Sequence, residues 1–510
     1  MAELNRRLKK PITREELYQH TKGESEEDEY YKKMYVEVVA DSIVGAVEAM
    51  REGLDMVDPT IQGVISGSYA STCGEFSDRN AVAFAGKGNP TIIRLNGGPY
   101  QNSIATGGAR NFTGSFFRAA ILKEISKDKV DIFLAETDTC PQNRYSTSAT
   151  LLHSHFTASI LEGATGAKHW LSRIGTYEPN SGKAYRKKLA KYSKFYEALC
   201  EYVKELHPFG CRLPLTHMEN FFYKISRFNF RFAPWATSVL ERFGLPLYFS
   251  NEGEGAVFID DYCVDGFTDE EFKNFMKGTL ILSVNAADKL CQRGFANELG
   301  VTVEPEETTT NKSGAAIVNP NKKVVSCEYI GKIRTATQYG KRELVPLSNE
   351  TEWLSQVVHV DGGTGEIEPL YPGVTRHKTS FGGECIVFSG TPEMPFEYFT
   401  AFSLLNETRK KQFIEILEKN DLLPLYYPED AELYLRAGKL TDGRLFAAAF
   451  NLSHDVLEDL PLVVKHNVKS VEMLNENGEL VPVEFDVDGD KITVKETVLS
   501  MNPIVLILNI

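Results

Sequence analysis

Over residues 1–208, short apolar runs alternate with stripes of apolar residues at helical spacing. The clearest unit is 130–173, VDIFLAETDTCPQNRYSTSATLLHSHFTASILEGATGAKHWLSR. Its apolar run, 130–135, has the length and the β-branched and aromatic content of a buried parallel strand, and it stops on Glu136. Residues 148–162 predict a helix with Leu151, Leu152, His155 and Ile160 on its buried side. Gly163 and Gly166 end it, and 167–171 read as a further strand carrying Trp170. Two like units come before, strand 61–65 with helix 78–85 and strand 91–95 with helix 112–125, and a helix over 184–206 completes the fourth. Repetition of strand then helix implies parallel strands joined by right-handed crossovers. In front of the first unit, a capping box at Thr13 and Glu16 opens a short helix. From about Tyr30 a long helix follows, with Val36, Val39, Ile43, Val47, Met50 and Leu54 on one face, stopped by Asp58-Pro59.

Four βα units are half of the eight that a closed (β/α)8 barrel needs. An open half leaves two strand edges unpaired and its inner face uncovered. Three solutions are open: the second half of a barrel whose first half is absent, a sheet closed by another route, or completion by a partner chain. After His207-Pro208 the pattern changes. The aromatic-rich stretch 212–231 reads as packed interdomain core. Helix 236–243, strands 245–249 and 256–260, helix 269–276 capped by Thr268 with Glu271, and strand 279–284 then suggest a small flavodoxin-like sheet. That sheet carries neither GxGxxG nor GxxxxGK[ST], so nucleotide binding has no support. Residues 300–400 add strands and polar turns with little period, and strand 385–389 and helix 407–418 return to the α/β layer. From 425 the strands shorten and alternate, at 445–452, 460–464, 470–474, 481–487, 491–494 and 504–508, with turn signals at Asn477-Gly478 and Asp488-Gly489. The expected architecture is a partial barrel over 1–208, a flavodoxin-like unit with inserted strands over 209–424 and a small antiparallel β-sandwich over 425–510.

Composition narrows the partners. Fifty-six basic against seventy acidic residues give a net charge of −14, which disfavours nucleic acid and anionic membrane. No run is long and apolar enough to span a bilayer, and the charged start MAELNRRLKK has no secretory apolar core. Eight cysteines without CxxC or Cys/His ligand spacing read as free thiols in a reducing cytoplasm, and no metal or cofactor is expected.

The candidate chemistry gathers after the parallel strands, where such folds collect their sites. Glu136 closes a strand, with Asp138, Arg144 and Tyr145 within ten residues. In one reading it forms a structural ion pair with Arg144; in the other it is a catalytic carboxylate supported by Arg144 and Tyr145, beside Trp170. A pyranose has an apolar face and a hydroxylated rim, which suits polar groups beside an aromatic wall. The long loops GSYASTCGEFSDRN and NGGPYQNSIATGGARN emerge on the same side and offer Asn96 and Tyr100 as hydroxyl contacts. Glu75 and Asp78 are either solvated loop carboxylates or a substitute acid, and Asp138 either contacts sugar or caps a turn. His153 and His155 lie on opposite faces of their helix and cannot act as paired ligands.

The segments AETDTCPQNRYSTSA, GAKHWLSR, FGLPLYFS…AVFIDDY…GTLILS and RLFAAAFNLS, in this order of modules, resemble the β-galactosidases of glycoside hydrolase family 42. The resemblance implies a retaining β-glycosidase that removes terminal sugars from oligosaccharides, with Glu136 as nucleophile on the seventh barrel strand and Trp170 on the eighth. It further implies a homotrimer held by the flavodoxin-like unit, and a general acid on a strand upstream of Met1, so that this chain alone would hydrolyse weakly. β-Mannoside or another exo-glycosidic substrate is not told apart from galactoside. The rival readings are a non-catalytic carbohydrate-binding or assembly scaffold and an ordinary α/β enzyme with a complete non-barrel sheet.

Overall fold

The computed structural model describes residues 1–23, 25–66, 77–95, 112–113, 116–140, 142, 144, 147–172, 180–215, 233–261, 263–304, 323–392 and 404–510. Its first layer is a sheet of four parallel strands, β1 (Ile65–Ser66), β2 (Ile92–Arg94), β3 (Ile132–Asp138) and β4 (Gly166–Trp170), in the order 1-2-3-4. The helices of this part are α1 (Ala2–Arg7), α2 (Arg14–His20), α3 (Glu26–Asp55), α4 (Ser77–Ala85), α5 (Phe117–Ser126), α6 (Ala149–Leu161), α7 (Lys183–Lys191) and α8 (Ser193–Lys204). Neighbouring strands in chain order, each followed by a helix, are the arrangement within a βα barrel. The expected half-barrel is met only to that extent: among the described residues β1 pairs with β2 alone and β4 with β3 alone, and no barrel closes.

Two helices depart from their expected faces. Ser148 caps α6, its Oγ accepting from the Leu151 amide at 2.9 Å. Every residue from Leu151 to Leu161 is buried, not one side alone. α6 lies against β3 and against α7 and α8, and the Ser154 hydroxyl donates to the Met501 carbonyl of the C-terminal sandwich. Enclosure on all sides also buries both His153 and His155. In α3, opened by a Ser25/Asp28 capping box, Val36 is buried but Met50 is exposed. Its C-terminal half is held instead by buried Arg51, whose guanidinium donates to the Ile61 carbonyl at 2.7 Å and to Asp55 at 2.9 Å.

The second layer begins with β5 (Leu206–Pro208), which pairs with strand Leu433–Leu440 of the sandwich. Strands β6 (Cys211–Leu213), β7 (Gly244–Phe249), β8 (Ala256–Ile259), β9 (Thr279–Leu282) and Glu384–Phe388 are parallel and lie in the order β7-β6-β8-β9-(Glu384–Phe388). Numbered within this sheet, that is 2-1-3-4-5, the flavodoxin order. β9 stops two residues short of the expected end, because Ser283 caps a new helix, Val284–Leu290. The weakly periodic stretch forms antiparallel strands Cys327–Ile330, Ile333–Thr335, Glu352–Val360 and Ile367–Lys378 added to the sheet edge. Of the aromatic-rich stretch 212–231, residues 216–231 lie outside the described residues.

The last unit is a two-sheet sandwich closed over Leu425, Leu433, Leu462, Val494, Leu506 and their neighbours. The expected single strand 481–487 is two, Leu480–Val483 and Phe485–Asp488, which belong to opposite sheets. Leu433–Leu440, which sequence pattern does not single out, joins the sandwich to β7 in parallel. Among the described residues no helix is long and apolar enough to cross a membrane, and the seven described cysteines are free.

All three parts meet at Arg436, which is 6% exposed. Its guanidinium donates to the Leu247 carbonyl of β7 at 3.1 Å and the Leu161 carbonyl of α6 at 3.5 Å, faces Glu162 at 3.8 Å and lies over the Tyr248 ring. Arg436→Met leaves Glu162 buried without this cation, and is expected to cost about 3 kcal/mol of stability, read as a lower urea midpoint. Arg436→Lys should recover only part of it, because an ammonium lacks the planar fork that reaches both carbonyls.

Nearby, fully buried Glu241 accepts from the Thr113 amide at 2.7 Å and the Thr113 hydroxyl at 2.5 Å. Burial pushes its carboxyl up to about 7 from the ordinary 4.5. The folded-state pKa therefore exceeds the unfolded one, so its contribution to stability is complete below about pH 4.5 and is lost as pH rises through about 7. Glu241→Gln is expected to gain on the parent chain by up to roughly 3 kcal/mol between pH 5 and pH 8, measured by denaturation at each pH.

Candidate active site

Strand alternation places Glu136. On β3, Phe133, Ala135 and Thr137 are buried on the helix side, Thr137 hydrogen-bonded to His169 Nδ1, so Ile132, Leu134 and Glu136 turn to the other face. In register, Glu136 stands opposite Lys168 and Asp138 opposite Trp170. Paired residues share a face, so Glu136 and Trp170 are diagonal neighbours on the same side of the sheet. Trp170 is 42% exposed, and its indole N–H donates to the Ser172 carbonyl at 2.9 Å. That bond ties down the edge of a ring whose area remains available for stacking.

The Glu136 side chain is 10% exposed and pairs with the guanidinium of Arg94, itself 15% exposed. Arg94 closes β2, and its Nε donates to the Ser66 hydroxyl at the end of β1 at 3.2 Å. Three adjacent strands thus supply a hydroxyl, a guanidinium and a carboxylate in sequence, although β3 does not stop on Glu136 as expected but runs two residues further, to Asp138, still paired with β4. Such a chain fixes the carboxylate's direction and keeps a cation beside it.

Other expected site residues stand elsewhere. Arg144 is exposed in the loop after β3, and no ion pair joins it to Glu136 among the described residues. Its charge bears on Tyr185 of α7 instead. Arg94 reaches Glu136 because β2 is the hydrogen-bonded neighbour of β3, whereas the loop carries Arg144 away. Asp138 is the turn's capping group: 3% exposed, its Oδ1 accepts from the Cys140 amide at 2.9 Å and from Gln142 Nε2 at 3.0 Å. Asp78 is buried against Lys129 at 2.6 Å, a structural ion pair. Asn96, Tyr100, Tyr145 and Glu75 lie outside the described residues. Sequence reading missed Arg94 and Ser66, although TIIR ends an apolar run on a charge as FLAE does. Burial pushes His169 down to about 4 and His153 to about 3, so both are neutral supports of the layer behind the site near neutral pH.

The chain matches no protein-family model and no curated protein sequence. Among solved structures it is similar to α-L-fucosidase isoenzyme 2 from Paenibacillus thiaminolyticus, with a TM-score of 0.51 and 13% identity over 86% of this chain and 71% of that one. A rhamnosidase from Novosphingobium sp. PP1Y aligns with a TM-score of 0.45 and 8% identity over 94% of this chain and 39% of that one. At the identity of the first match the likeness is one of fold alone.

Proposed function

We propose that this chain carries the nucleophile side of a retaining glycosidase, and that Glu136 attacks the anomeric carbon of a sugar stacked on Trp170. The observation that carries the reading is the placement of Glu136, with Arg94 at its carboxylate, on the same face as an exposed tryptophan at the ends of parallel strands. In the first step a carboxylate oxygen forms the bond to carbon while the leaving-group oxygen departs with a proton from an acid; water then cleaves the glycosyl ester. Arg94 is a positioning residue, and Ser66 orients Arg94. The acid is a second carboxyl about 5 to 5.5 Å away in retaining enzymes. Of the expected substitutes, Asp78 is held in a structural contact and Glu75 lies outside the described residues, which favours an acid contributed from outside the described residues.

The sugar we assign first is β-galactoside, on the family 42-like order of modules. An α-L-fucoside belongs in the same test, because the fold neighbour is named for that substrate. The flavodoxin-order sheet is the proposed trimer contact: sedimentation equilibrium is expected to return three times the chain mass, and a monomer would remove that part of the reading. Free thiols at all seven described cysteines support a reducing, cytoplasmic setting. A second reading, a non-catalytic carbohydrate-binding or assembly scaffold, is favoured by the same ion pair, since a carboxylate in a salt bridge also serves structure alone.

An activated deoxyfluoro aryl glycoside separates the two, because its leaving group departs without a proton. Intact mass and peptide mapping are expected to show one glycosyl adduct on Glu136, absent in Glu136→Gln. Arg94→Met should slow labelling about tenfold or more, with partial rescue in Arg94→Lys. No adduct from either sugar series would leave the scaffold reading standing.

A further inference from the structure

A cleft of about 610 Å³ lies where the second sheet meets the sandwich, away from Glu136 and sharing no residue with that site. It opens at the N-terminal ends of β6 and β8, between the 253–255 turn, the 421–424 loop and the hairpin around Lys439 to Leu445. Its volume is within the range of small-molecule sites, and junctions between units are where such sites concentrate.

Five exposed ionisable side chains line it: Glu254, Asp421, His207, Lys439 and His466. Among the described residues none of the five side chains forms a hydrogen bond or ion pair, although nearby Lys465 pairs with both Glu418 at 2.9 Å and Asp490 at 3.2 Å. Asp421 adopts φ +54° as the left-handed residue that closes helix Glu407–Glu418, its amide donating to the Glu418 carbonyl at 3.0 Å and the Leu422 amide to the Leu417 carbonyl at 3.1 Å. One wall is bare backbone. Gly210 and Gly255 both have positive φ, and a Cβ on Gly255 would strike the Gly210 carbonyl, so this wall excludes side chains by necessity. Phe209, Leu422 and Pro424 supply an apolar surface between the polar groups.

The mixture decides the class of ligand. Two carboxylates repel phosphate, and among the described residues no three His, Cys, Asp or Glu side chains assemble as metal ligands. Separate acceptors and donors around an apolar surface suit an uncharged molecule that both donates and accepts along its rim. We infer that this cleft is a second carbohydrate-binding site, taking a neutral mono- or disaccharide with Glu254 and Asp421 accepting from hydroxyls and Lys439 donating to them. The inference does not depend on catalysis at Glu136.

The test uses the full chain with Glu136→Gln and Trp170→Ala, which silence the first site, and lactose, L-fucose and inorganic phosphate as probes. Ligand-observed saturation-transfer NMR and calorimetry are expected to show lactose or fucose still bound. Adding Glu254→Gln with Asp421→Asn should weaken that binding about tenfold or more, with an unchanged melting curve. Thr441→Trp, at the rim, should block it independently. Absence of sugar binding in the silenced chain, indifference to both sets of cleft variants, or tighter binding of phosphate than of either sugar would overturn the assignment. Failure of Glu136 labelling with sugar binding retained here would remove the catalytic reading alone.

Discussion

A single buried guanidinium, that of Arg436, ties the parts of this chain into one frame. It sits at the C-terminal end of α6, where unsatisfied carbonyls and the helix dipole favour a cation, and it reaches β7 from a strand of the sandwich. Glu162 and Lys123 crowd the same point. Burial lowers the Lys123 ammonium below its usual range, with Glu162 opposing the shift and Arg436 adding to it. Moving charges out of water is costly unless they face one another, so this cluster holds only while the first sheet, the second sheet and the sandwich stay docked.

The consequence reaches the candidate site through α6. Because that helix is enclosed on every side, β3 and β4 beneath it cannot slide against the rest of the molecule without opening core. A one-residue slip of β3 would turn Glu136 toward the helices and Thr137 toward the open face. Docking of the sandwich therefore supports the direction of a carboxylate that it does not touch. The chain Ser66, Arg94 and Glu136 adds a local constraint along the strand ends, and Trp170 supplies the flat wall beside it.

The second sheet has a different part to play. Its five parallel strands in flavodoxin order merge with the sandwich through the pairing of β7 with Leu433–Leu440, so two units with separate cores share one continuous run of strands. That continuity leaves a seam at the strands' N-terminal ends, walled by glycine backbone and lined with side chains that have no structural partner among the described residues. Glu328, on strand Cys327–Ile330, and Arg409, on helix Glu407–Glu418, show the contrast: wholly buried, they pair at 2.8 Å, as charges deprived of water must.

By itself the sequence determined the local elements. Short apolar runs marked β2 and β3, Thr268 with Glu271 marked a helix start, and Asn477-Gly478 and Asp488-Gly489 marked turns between strands, because period, capping and turn chemistry act over a few residues. The position of Glu136 on β3 was legible for that reason, whereas the face it shares with Trp170 follows from the register of β3 with β4. Partnership was not. That Arg94 and not Arg144 meets Glu136, that Asp138 closes a turn, that α6 is buried all round and that 481–487 divides between two sheets are set by contacts between segments far apart in the chain. Such contacts follow from strand order and from which surfaces exclude water together, and only the tertiary structure decides those.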